Sequence, residues 1–299
     1  MARKTMLVKD SFGERVFVGT ITGFLILLNV VMFYPFVYVF STAISDTGQV
    51  IAGNVWLFPI GFDLSAVQQI LSYPLFTSSY LNTILYTVFG TAACIIMTCL
   101  TAYPLAQSKF QLKGVISVIY VFTMFFGGGM IPTFLVYRNL GLVDSRLVMI
   151  LPGAISAWNI IICRTFFKSI PASLNESAYL DGASDLKILW RIIIPLSTPI
   201  LATLALFSSV GIWNDFFTGL LYFNDPTKYP LQLILRMILV TVTTAALQAE
   251  NSVMEFTQRS ATLSLKSASI LLSILPIMCV YPFIQRYFVK GVMIGSLKE

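Results

Sequence analysis

Five charged side chains, Glu176, Asp181, Asp185, Lys187 and Arg191, crowd into one stretch, "NESAYLDGASDLKILWRIIIP", of a 299-residue chain in which 11% of residues are charged and none is histidine. With histidine absent, these acids and bases do not make the His, Asp or Glu cluster that an enzyme at a membrane face would need, and their local pattern by itself leaves their role open. A second set lies inside apolar runs: Trp213, Asn214 and Asp215 in "GIWNDFF", Trp158 and Asn159 in "SAWNII", and Asn82 with Thr83. A carboxylate at such depth is tolerated only where it faces protein or water. Asn and Asp can bond sugar hydroxyls while aromatic rings cover C–H faces, so Trp213, Asn214, Asp215, Trp158, Asn159 and Asn82 are candidates to line a hydrophilic passage. The alternative is that they bind helix to helix, Asn214 by interhelical hydrogen bonds and Gly211 by a kink.

Several chemistries are disfavoured by what the sequence lacks. No G-x-x-x-x-G-K-[ST] pattern is present to cradle a nucleotide phosphate. Cys94, Cys99, Cys163 and Cys279 fall within apolar runs, where cysteine acts as a small apolar residue, and their spacing gives neither a disulfide framework nor a metal site. The net charge of +6 comes without a dense basic run interleaved with aromatics, which argues against nucleic acid and fits attraction of anionic lipid headgroups.

The elements that must position these residues are membrane helices. With 57% hydrophobic residues and a mean hydropathy of +0.84, the chain reads as an all-α polytopic membrane protein. Six apolar runs long enough to cross a bilayer fall at 16–41, 81–106, 115–137, 147–166, 196–223 and 268–288. A seventh, 231–247, contains Gln232 and Arg236 and is expected to lie on the membrane or on protein rather than to cross. The basic N-terminus leads into a run too long for a signal peptide, and no small-x-small cleavage pattern follows, so the first helix is expected to stay attached. Placing both termini in the cytoplasm puts 13 of the 19 Lys and Arg residues inside and leaves the loop 42–79 with none. The expected organisation is a cytoplasmic N-terminus, 1–15, and one transmembrane domain, 16–299, with extracytoplasmic loops 42–79 and 224–267 and a cytoplasmic loop 167–195. Gly127–Gly129 followed by Pro132 should weaken the third span, as a kink, a close crossing or a gate hinge.

In loop 167–195 the local signals describe two short helices meeting at a glycine. Pro171 fits a helix start, Ser173 with Glu176 forms a capping-box pattern, Gly182 can end the first helix and Ser184 can cap the second. Leu174, Ala178 and Asp181 share one face, and the small residue at its middle would permit close approach by another protein. Local pattern alone equally allows an amphipathic helix resting on lipid.

The same stretch resembles the signature loop of bacterial ABC-importer permeases: Glu176-Ser177-Ala178, three residues, Gly182, nine residues, Ile192, one residue, Ile194-Pro195. Ser177 stands where the family has Ala and Ile194 where it has Leu, changes that keep size or apolarity. The context "SIPASLNESAYLDGASDLKILWRIIIPLSTPILAT" and the C-terminal "QRYFVKGVMIGSLKE" resemble the second membrane subunit of maltose-type sugar importers. "FFGGGMIPTFLVYRNLGLVDS" and "KYPLQLILR" resemble the aldouronate, polygalacturonan and alginate branch.

The resemblance implies a type I ABC importer permease fold with a cytoplasmic coupling helix around Glu176, carried by Leu174, Glu176, Ser177, Ala178, Leu180, Asp181 and Gly182. Glu176 would pair with a base on an ATPase, Leu174 and Leu180 would anchor apolar contacts, and Ala178 and Gly182 would allow tight packing. It further implies a second permease, two ATPase subunits that hold ATP and Mg, an extracytoplasmic solute-binding protein and an oligosaccharide substrate, with no cofactor on this chain. An ion-coupled secondary transporter is the rival reading, but it would be expected to show internal repeats or several ionisable groups at mid-membrane, and Asp215 stands alone there. A membrane enzyme would need a cluster of His, Asp or Glu at one face.

Overall fold

The structure is a computed structural model that describes residues 12–248, 263–279 and 282. Its described elements are helical apart from one isolated bridge between Ser45 and Phe62. The chain divides into two compact units, residues 1–70 with 242–271 and residues 71–241 with 272–299.

In the first unit, α1 (Phe12–Ala43) is apolar on all sides, and its side chains are exposed until its last turns. A helix of that kind is stable only in an apolar surround, and at about 1.5 Å per residue it exceeds the ~30 Å hydrocarbon thickness. After it come α2 (Thr47–Ile51) and α3 (Ser65–Leu71). The loop between them is held by the Ser41 hydroxyl donating to the Leu57 carbonyl at 2.7 Å and the Asp46 N–H donating to the Gly61 carbonyl at 2.6 Å.

The second unit is organised on α4 (Phe76–Ala106), whose buried face runs through Asn82, Thr83, Tyr86, Gly90, Cys94, Cys99, Ala102 and Tyr103. Small residues on that face let neighbouring backbones approach closely, which is how helices associate where no water drives them together. The elements that follow are α5 (Lys113–Phe125), α6 (Met130–Asn139), two 3-10 turns (Arg146–Met149 and Pro152–Ala154), α7 (Ala157–Ser169) and α8 (Ala172–Leu180). Next comes a rod, Asp185–Leu196, made of α9 (Asp185–Ile188), a π turn (Leu189–Ile193) and α10 (Ile194–Leu196). Then follow α11 (Thr198–Trp213), α12 (Phe217–Tyr222) and α13 (Leu231–Gln248), of which residues 231–241 belong to this unit, and α14 (Leu263–Cys279), of which residues 272–279 do. Helices α7 and α11 pack along α4.

Among the described residues, α1 and α4 could each cross a membrane alone by length and composition, and three bent pairs bring the number to five if each pair is one span. The sixth expected span, 268–288, begins within α14 and continues outside the described residues. Three of the expected spans are bent, the third span at the Gly127–Gly129 segment expected to weaken it. Residues 115–137 are broken after Phe125, and α5 meets α6 at 117°. There Gly129 takes φ +84°, a conformation open to glycine, and lies three residues before Pro132. The 147–166 run is two 3-10 turns bent 41° from α7, which starts where the Ser156 hydroxyl accepts the Asn159 N–H at 3.3 Å. The 196–223 run stops at Trp213 and resumes at Phe217, and α11 leaves the rod Asp185–Leu196 at 84°. The seventh run forms α13, whose first turns bury Leu231, Leu233, Ile234 and Leu235, so it begins on protein.

Candidate functional site

Glycine and alanine decide the geometry of the polar stretch. Gly182 adopts φ +77°; its N–H donates to the Tyr179 carbonyl and the next N–H, of Ala183, reaches back to Ala178 at 3.0 Å. Paired bonds of that kind satisfy carbonyls that a helix end otherwise leaves bare and turn the chain sharply. The start of α8 corrects the sequence reading: the helix opens directly after Pro171 with no side-chain cap, Ser173 lies inside its first turn, and the Ser177 hydroxyl donates to the Ser173 carbonyl. Ser184 stands at the start of α9, also without a side-chain cap bond.

The faces of α8 divide cleanly. Ala178 is buried among Cys99, Ala102 and Tyr103 of α4, Cys163 and Phe167 of α7, and Ile188 and Leu189 of the rod. Its smallness therefore serves close approach to this chain's own helices, not to another protein as expected from sequence. Outward, Leu180 is 90% exposed, with Glu176 and Ser177 beside it one turn back; Asp181 and Gly182 are exposed, and Leu174 is 40% exposed. The Tyr179 hydroxyl donates to the Asp185 carboxylate, which raises the phenol above its usual range, and Lys109 lies 5.3 Å from the Tyr179 ring centre. These groups, with Tyr103 and Gln107, edge a cavity of about 430 Å³.

At the other end of α4, Asn82 is buried and its amide donates to the carbonyls of Thr227 (2.7 Å) and Tyr229 (3.3 Å), while the Tyr86 hydroxyl donates to Lys228 O and the Thr83 hydroxyl accepts the Leu231 N–H. Asn82 thus holds the loop before α13. That loop is also tied to the turn after α6: Asp144, at φ +58°, accepts the Lys228 ammonium at 3.0 Å and the N–H groups of Asn224 and Asp225 at 3.2 Å. These bonds pull the Asp144 carboxyl below its usual range, the lysine first among them, and raise Lys228 in turn. Sequence reasoning passed over this clamp, although "NDPTK" carries an Asp-Pro turn signal.

Between these ends lies the break after α11. Asp215 accepts the Thr218 N–H at 3.0 Å, starting α12, and lines a cavity of about 550 Å³ with Gly127–Gly129, Tyr137, Gly211 and Tyr222. Asn214 is exposed; its amide returns to Val210 O, and its carbonyl accepts from Gln232 at 3.4 Å. Trp213 is buried, its indole N–H donating to Ser273 O of α14 at 3.1 Å and its ring set edge-on to Tyr80. The Asn159 amide reaches the Ser208 hydroxyl (3.1 Å) and Cys94 sulfur (3.3 Å), joining α7, α11 and α4. Trp158 is 55% exposed and outside that cavity lining. Of the six candidate passage residues, Asp215 alone borders the large cavity, whereas Trp213, Asn159 and Asn82 tie helices and loops together. Among the described residues no group of His, Cys, Asp or Glu could hold a metal ion.

The family model described as "Binding-protein-dependent transport system inner membrane component" matches residues 15–294. The chain belongs to this family. It is 39% identical to the polygalacturonan/rhamnogalacturonan transport system permease protein YtcP of Bacillus subtilis (strain 168), over 95% of this chain and 99% of that one. It is 41% identical to the protein LplC of the same organism, over 88% of each. Among solved structures, it superposes with a TM-score of 0.82 and 38% identity on a chain from a bacterial ABC transporter involved in the import of the acidic polysaccharide alginate, covering 93% of this chain and 99% of that one.

Proposed function

We propose that this chain is a permease subunit of an ATP-driven importer and, with a second permease, forms the path by which oligosaccharides from acidic polysaccharides enter the cell. An extracytoplasmic binding protein delivers the sugar, two ATPase subunits supply ATP and Mg chemistry, and this chain performs no catalysis. Both termini and the 167–195 loop face the cytoplasm, and the 42–79 and 224–267 loops face outward. The observation that carries the reading is the two-faced α8: Ala178 fixes it to the membrane helices while Leu180, Glu176 and Ser177 stand free for a partner. A short helix that opens directly after Pro171 and is closed at Gly182 by paired backbone bonds passes on displacement better than a loop would. The cavity bordered by Asp215 and two tyrosines, Tyr137 and Tyr222, has the hydroxyl-bonding and ring-stacking groups a sugar path needs.

The test is purification from the native membrane followed by reconstitution. Co-purification of an ATPase and a second permease, with ATP-dependent uptake of oligogalacturonate given its binding protein, is expected; uptake by this chain alone on a proton or sodium gradient would overturn the reading.

A further inference from the structure

An acidic sugar raises a question of charge that the large cavity leaves unanswered, because among the described residues the carboxylate on its wall, Asp215, would repel a uronate. A cation is needed close by. In the second unit, Lys228 is committed to Asp144 and Asp225, Arg146 lies near Tyr86, and Arg138 sits in the last turn of α6, where a cation is favoured by the helix carbonyls. Arg236 differs. It is exposed on α13, and its guanidinium carbon lies 4.3 Å from the centre of the Phe216 ring, the residue next to Asp215. Among the described residues it has no carboxylate partner. One turn earlier on α13, Gln232 bonds Asn214, so the break after α11 and this face of α13 are held together.

We propose that Arg236 is the carboxylate-recognising residue of the path: seated on Phe216 beside the break, its guanidinium takes a uronate carboxylate of the passing oligosaccharide through two parallel N–H bonds. A guanidinium lying over a ring face can keep its N–H edge available, the geometry a carboxylate meets in bidentate fashion. Cation–π attraction offsets part of the cost of leaving the charge unpaired between substrates. Arg236 would then set specificity for charged over neutral sugars, while Asp215 and the tyrosines engage features common to both.

This inference rests on the proposed import function, and the experiment separates the two. The assembled importer, reconstituted with its binding protein, is assayed for ATP-dependent uptake of a short oligogalacturonate and of its carboxyl-reduced neutral counterpart. Arg236→Gln is expected to raise KM for the acidic sugar by about tenfold to a hundredfold, the loss typical of a charged hydrogen-bonded contact, with uptake of the neutral sugar unchanged. Arg236→Lys should restore part of the preference. An equal fall for both sugars would assign Arg236 to packing or a subunit interface, and an unchanged acidic KM would remove it from recognition; either overturns the inference. Should neither variant assemble, the arginine is structural and the inference likewise fails. Wild-type importer that takes up neither sugar would instead refute the import function itself.

Discussion

Asp144 binds two loops through one carboxylate, with its pKa lowered chiefly by Lys228 and that of Lys228 raised chiefly by Asp144. The lowered carboxyl stabilises the fold above the ordinary carboxylate value of 3.8, and that contribution is lost as pH falls through its lowered value; the raised lysine contributes below 10.5 and loses that contribution as pH climbs past its raised value. Across neutral pH the clamp is therefore intact. Asp144→Asn is expected to lower the Tm of the solubilised complex at pH 7, and the gap from wild type should close in acid below the Asp144 titration. At Gly219 an added Cβ would stand 2.6 Å from Cδ of Pro230, a rigid ring that has little room to yield. Gly219→Ala should destabilise by about 1–3 kcal/mol, read as a lower Tm. Residues of this kind were the least legible in the sequence. A buried amide that meets a carbonyl 145 positions away, as Asn82 meets Thr227, has the same local pattern as one that faces a passage.

At the scale of elements, α8 and its glycine were readable because the causes are local: a proline before the first turn, and a residue free to take positive φ after the last. Gly182 has open space around the position of a Cβ, so strain there is purely conformational. Gly182→Val should cost about 1–2 kcal/mol and loosen α8, lowering sugar transported per ATP hydrolysed, whereas Gly182→Asn, which tolerates left-handed backbone, should come close to wild type. Leu180→Asp, on the free face, should leave the membrane domain folded and remove the ATPase on purification, as loss of a central apolar anchor does. The breaks within the apolar runs were less legible, since a window of hydropathy averages across them. The interruption at Gly127–Gly129 had a visible cause in three glycines and a proline. The interruption at 214–216 did not: it depends on Asp215 taking the Thr218 N–H and Asn214 turning back to Val210, choices fixed by the fold rather than by composition.

For the whole molecule, the cysteines offer a direct probe of the proposed orientation. Cys94, Cys99 and Cys163 are buried and Cys279 is exposed. In a Cys279→Ala background, Leu180→Cys should react with a membrane-impermeant thiol reagent only when the cytoplasmic face is open to it; labelling of intact cells would reverse the topology. The second unit also joins its two ends through one continuous helix: α4 carries Ala102 and Tyr103 against α8 at its C-terminal end and Asn82, Thr83 and Tyr86 against the 227–231 segment near its start. A helix of 31 residues is about 46 Å long and does not shorten under load. It can only lean, so a swing of about ten degrees at the α8 end would sweep the opposite tip through about 8 Å, roughly the breadth of one sugar ring with its hydroxyls.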